Sequence, residues 1–137
     1  MELIAKQERS KKRVILILQT AESILLRDGL EAITIANIAK YSGLKRTSTY
    51  KFFPTTDSLK AMMIKGYFKD CENLFREELT PLQTNQVSVI VLKTVEVMYE
   101  YFRSSKPAQL IILKNKLNPP MSSESMHGLA SSIEYFI

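Results

Sequence analysis

Residues 21–63 read AESILLRDGLEAITIANIAKYSGLKRTSTYKFFPTTDSLKAMM, and two short apolar segments separated by a glycine turn lie at their centre. Thr34 stands directly before Ile35, Ile38 and Ala39, where its hydroxyl can accept a free N–H of a first helical turn, so the spacing predicts a short helix over 35–41. Ser42, Gly43 and Leu44 make a tight turn. A second short helix follows over 45–52 or 45–53, stopping where Pro54 biases the residue before it away from the helical region. Its outer face offers Lys45, Arg46, Ser48 and Lys51, with Leu44, Phe52 and Phe53 turned inward. Two short helices joined by a glycine turn and packed on a longer preceding helix have the layout of a helix-turn-helix, whose second helix lies in a major groove. Such a helix needs donors for phosphates and base edges on one side and apolar anchors on the other.

Outward from this core the chain stays helical. Val14, Ile17, Leu18, Ala21, Ile24 and Leu25 recur at helical spacing and predict a helix over 9–27, closed by Asp28-Gly29. Thr55 is the N-cap expected for a long helix reaching Leu79, with Leu59, Met63, Tyr67, Leu74 and Phe75 on its apolar side. A helix over 85–103 is apolar around much of its circumference, as a central helix of a bundle would be. Shorter helices over 107–117 and 123–137 complete an all-α reading, with the Pro119-Pro120 stop between them. The domain division predicted is a DNA-binding head over 1–55 and a helical bundle over 56–137.

The chain has 137 residues and a formal net charge of +5, and the excess is confined to the front. Residues 1–60 hold eleven Lys and Arg against six Asp and Glu, whereas residues 61–137 hold eight of each. A basic front suits a polyanion, most simply nucleic acid and less simply an anionic membrane surface. The helix-turn-helix layout makes double-stranded DNA the expected partner. The alternative class is a helical interaction protein whose basic front binds acidic protein or anionic lipid. A single Cys71 and a single His127 supply neither a disulfide framework nor a zinc-type ligand set, so no metal and no cofactor are expected. No phosphate-cradling glycine loop, no nucleophile with a His partner and no paired carboxylates beyond Glu77-Glu78 point to an enzyme. The longest aliphatic run, 14–18, is far short of a bilayer span, and the charged start is no signal peptide, so a cytoplasmic location is expected.

On Gly29, Thr34, Ile38-Ala39, Gly43, Tyr50, Phe52-Phe53 and Leu59, the sequence resembles the tetracycline-repressor-like (TetR) family of transcriptional regulators, over about residues 9–65. The resemblance implies DNA contacts from Thr34, Lys45, Arg46, Thr47, Ser48, Tyr50 and Lys51, with the Tyr50 hydroxyl on a backbone phosphate. Lys45 stands where the family has Ser or Thr, which removes the usual cap of the recognition helix. Thr56 stands where the family often has a phosphate-contacting Lys, and Lys60, one turn later, is the substitute. Arg9, Lys11, Lys12 and Arg13 are either a solvated helix start or an arm along the DNA backbone or in the minor groove. The resemblance further implies a ligand-responsive repressor that binds a pseudo-palindromic operator as a homodimer, with closing dimerisation helices cut short at Ile137. A small apolar or amphipathic effector would lie among Met63, Tyr67, Met98, Tyr101 and Phe102.

Overall fold

The computed structural model describes residues 1–114 of the chain. It is all-α: six helices and one 3-10 turn, with no strand among the described residues. Helix α1 spans Glu2–Asp28, the 3-10 turn Leu30–Ala32, α2 Ile35–Ser42, α3 Arg46–Phe52, α4 Thr56–Leu79, α5 Val87–Ser104 and α6 Lys106–Lys114. The chain divides into two compact units, Met1–Lys60 and Ala61–Ile137, with the boundary inside α4 rather than at its start.

In the first unit α1 packs on α2 and on the 3-10 turn, and α2 packs on α3. Ile17, Ile24, Leu25, Ile33, Ile38 and Leu59 are completely or almost completely buried. Each contributes about 1.5–3 kcal/mol relative to exposure. That burial is what holds α2 and α3, which are too short to persist as isolated helices. Gly29 closes α1 at φ 90°, ψ 176°, a region open essentially to glycine alone, and its N–H returns to the Leu25 carbonyl. The reciprocal bonds between Thr55 and Ser58 fix the start of α4: Ser58 N–H donates to Thr55 Oγ1 at 3.0 Å, and Thr55 N–H donates to Ser58 Oγ at 3.3 Å.

The second unit buries Met63, Ile64, Tyr67, Phe68, Cys71, Phe75 and Leu79 from α4, and Ile90, Val97 and Tyr101 from α5. Helix α6 packs on α5, and the Gln109 side-chain amide donates to the carbonyls of Phe102 and Arg103. Pro107 sits in the first turn of α6, where the missing N–H costs nothing.

Three expectations are corrected. Helix α1 begins at Glu2, not near residue 9, because residues 2–8 are good helix formers without Gly or Pro and need no apolar partner to extend a helix already nucleated. Helix α3 begins at Arg46, with Lys45 as its N-cap residue. Helix α5 does not show the all-round burial of a central helix among the described residues. It buries only the stripe of Ile90, Thr94, Val97 and Tyr101, while Val87, Val91, Leu92, Val95, Met98 and Tyr99 are exposed. Apolarity around the circumference states what a helix could bury; burial itself needs neighbours on every side. The helix expected over 123–137, the stop at 118–120 and the truncated closing helices lie outside the described residues, as do the last residues of the helix expected over 107–117.

Candidate nucleic-acid interface

Thr34 caps α2 as its position in the sequence requires, with Asn37 N–H donating to Thr34 Oγ1 at 3.1 Å. The Asn37 side-chain amide reaches back to the Ala32 carbonyl at 2.8 Å, which secures the entry to the helix. At the other end Gly43 adopts φ 76°, ψ 1°, and its N–H bonds to the Ala39 carbonyl at 3.1 Å. This left-handed residue turns the chain within three positions, and Ser42 Oγ accepts the Leu44 N–H at 3.2 Å. The sharp turn is what sets α3 against α2 rather than continuing one helix.

The inner side of α3 is Thr49 and Phe53, both buried, with Ser48 and Phe52 half-buried. The Thr49 hydroxyl donates to the Lys45 carbonyl at 3.3 Å, and the Phe53 N–H closes the helix on the Thr49 carbonyl at 2.9 Å. Sequence reading missed Thr49 as an anchor, although its i, i+4 relation to Phe53 was the available signal. Lys45, Arg46, Thr47, Tyr50 and Lys51 are exposed. Lys45, Arg46 and Lys51 have no carboxylate partner among the described residues. Lys45 makes no side-chain cap bond, since its ammonium can only donate, and it is exposed to solvent. The exposed face therefore gathers three cations, a hydroxyl and a phenol on one side of a seven-residue helix. Ser48 stands at the border of that face rather than at its centre. Half-buried Thr34 lies at the start of α2 and half-buried Lys60 in the second turn of α4.

A further cationic cluster was not legible in the sequence, because the fold alone brings its members together. The guanidinium carbon of Arg27 lies 4.3 Å from the centre of the Tyr41 ring, and Lys40 Nζ lies 5.2 Å from it. Arg27 also bonds Asp28 at 2.8 Å, and this hydrogen bond pushes its pKa further up.

Arg9, Lys11, Lys12 and Arg13 are exposed on α1, with Arg9 Nε donating to the Ala5 carbonyl at 3.3 Å and Lys11 paired with Glu8 at 3.4 Å. They belong to a continuous helix and not to an extended arm. A helix about 10–12 Å across does not itself enter a minor groove about 6 Å wide.

Of the residues expected around an effector, Tyr101 and Phe102 meet edge to face with ring centroids 5.2 Å apart. Met63, Tyr67 and Tyr101 are buried, Phe102 is half-buried and Met98 is exposed. A groove of about 260 Å³ within the second unit is lined by Leu74, Val97, Tyr101 and Ser104 and rimmed by Glu78, Lys93, Glu96 and Glu100. Of the five expected residues it includes Tyr101. Lys93 bridges Glu78 at 3.4 Å and Glu96 at 3.5 Å, and these bonds raise its pKa, Glu78 contributing most.

Among the described residues no helix is long and apolar enough to cross a membrane. No established family profile matches the chain. Over 81 residues the chain is 31% identical to an uncharacterized HTH-type transcriptional regulator of Mycobacterium tuberculosis (strain CDC 1551 / Oshkosh), and to the same degree to one of strain ATCC 25618 / H37Rv. The matched stretch is 59% of this chain and 40% of each relative, so the chain spans less than two thirds of their length.

Proposed function

We propose that this chain is a sequence-specific DNA-binding transcriptional regulator of the tetracycline-repressor-like kind, with α3 as its recognition helix. The observation that carries the reading is the two-sided character of α3: Thr49 and Phe53 are locked into the core while Arg46, Thr47, Tyr50 and Lys51 stand exposed with Lys45 at the cap. The similarity to two proteins named as helix-turn-helix regulators supports it. In this reading Lys45, Tyr50, Lys51, Thr34 and Lys60 contact phosphates, and Arg46, with Thr47 and Ser48, reads base edges.

One seven-residue helix contacts too few base pairs for useful specificity in a genome, so the regulator acts as a two-fold homodimer on a pseudo-palindromic operator. It acts as a repressor that a small apolar or amphipathic effector releases. Effector binding in the second unit reaches the head through α4, which belongs to both units. The coupling equals the difference in effector affinity between the free and operator-bound states.

A salt titration tests the reading against a generic polyanion binder. The full chain is expected to prefer particular duplexes over random ones at every salt concentration, with affinity for both falling as salt rises. Equal binding to all duplexes together with tighter binding to acidic vesicles would replace it with a lipid-surface protein.

A further inference from the structure

The first two turns of α1 are charged and fully exposed. Residues 1–9 are all exposed, and the first buried side chain of the helix is Ile17. At 1.5 Å per residue, about 22 Å of helix therefore precede the core. The cations on this segment are not scattered. Lys6 and Arg9 are three apart, Arg9 and Arg13 four apart, and Lys6, Arg13 and Thr20 are each seven apart, so at 3.6 residues per turn they fall in one line. That line runs on into buried Thr20, Ile17 and Ile24, on the part of α1 that packs in the first unit, where α2 rests on α1 and carries α3. Lys11 lies on the opposite side of the helix, paired with Glu8, and Lys12 points to the flank.

We propose that Lys6, Arg9 and Arg13 form a second phosphate-contacting element, a helical stripe that lies along the duplex backbone beside the segment α3 reads. The inference rests on the DNA-binding reading above. From Lys6 to Arg13 the helix rises about 10 Å, and long side chains projecting from one line of that length can reach more than one phosphate of a strand. One acid shares the face: Glu2, at the tip of the helix. An anionic membrane surface is the poorer match. A helix lying on lipid needs its apolar side flanked by its cations, and the exposed Ile4 and Ile15 lie on the side of α1 away from this stripe, leaving Leu16, in line with Arg9, as a lone exposed large apolar residue beside it.

The test compares the full chain with a Lys6→Ala/Arg9→Ala/Arg13→Ala triple variant and a Lys11→Ala/Lys12→Ala control, each checked for unchanged helicity by circular dichroism. Binding to a preferred and a random duplex is measured across a salt series. The triple variant is expected to lower the slope of log affinity against log salt by about 2–3 units on both duplexes, leaving the ratio between them unchanged. The control is expected to lower it by less than one unit. An unchanged slope in the triple variant, an equal fall in the control, or a lost preference for the chosen duplex would each overturn the stripe. So would a triple variant that loses binding to phosphatidylserine vesicles while its DNA slope is unaltered. If the wild-type chain prefers no duplex, the regulator reading fails alone, because the slope on random DNA still judges the stripe.

Discussion

Arg46, Tyr50 and Lys51 share the exposed side of α3, yet their places along it assign them different work. Lys51 and Tyr50 lie toward the end of the helix, where the proposed reading puts backbone contacts, so removing either should weaken all duplexes about equally. For Lys51→Ala the salt slope should also fall by about one unit. Arg46 opens the helix. Paired with a guanine edge, Arg46→Ala costs about 1–3 kcal/mol on the preferred duplex and far less on random DNA, read as dissociation constants at one fixed salt concentration. An equal loss on both would move Arg46 to the backbone class and leave Thr47, which is exposed, or Ser48 at the border as the base reader. Away from the interface, Cys71 is fully buried, and burial, followed by the charge of Asp70, pushes its thiol pKa up to about 11. A thiol raised in the folded state keeps its proton longer than in the unfolded chain. Its contribution is thus present below the ordinary thiol range and is lost as pH rises through about 11. The prediction is slow alkylation of native Cys71 at pH 8, and a shallower alkaline loss of stability in Cys71→Ala.

At the scale of elements, the head was legible because its signals are local. Thr34 before Ile35, the Gly43 turn and Phe53 before Pro54 each act within a few residues of the backbone they shape. Gly43 at φ 76° has open space around the position of a Cβ, so the cost of Gly43→Ala is purely conformational, about 1–2 kcal/mol of the unfolding free energy in a denaturant titration. Loss of the cap bond in Thr34→Ala costs about 1 kcal/mol by the same measurement. Together these define how firmly the turn fixes α3. Other elements were less legible. The first turns of α1 carry no apolar stripe, and a reading tied to periodicity starts the helix where burial starts. In α5 the pattern told which residues could be buried but not on how many sides helices would meet it. Val91, Val95 and Tyr99 ended up exposed for that reason. The Arg27–Tyr41–Lys40 cluster joins α1 to α2 through space and left no trace in sequence spacing.

For the whole molecule, the basic charge and the DNA-facing candidates both fall in Met1–Lys60, while the groove beside Tyr101 lies in the second unit. Helix α4 contributes residues to both units. An effector that acts through it must bind the free protein and the operator complex with different affinities; equal affinities would end the coupling claim. The most direct test of sequence-specific reading by α3 is selection of bound sites from a pool of random duplexes by the full chain. The account predicts enrichment of two related, inverted half-sites with centres about 34 Å apart or a multiple of it, and loss of the guanine preference within each half-site when Arg46→Ala is used instead. A pool that emerges without any enriched sequence, bound only in proportion to its charge, would contradict it.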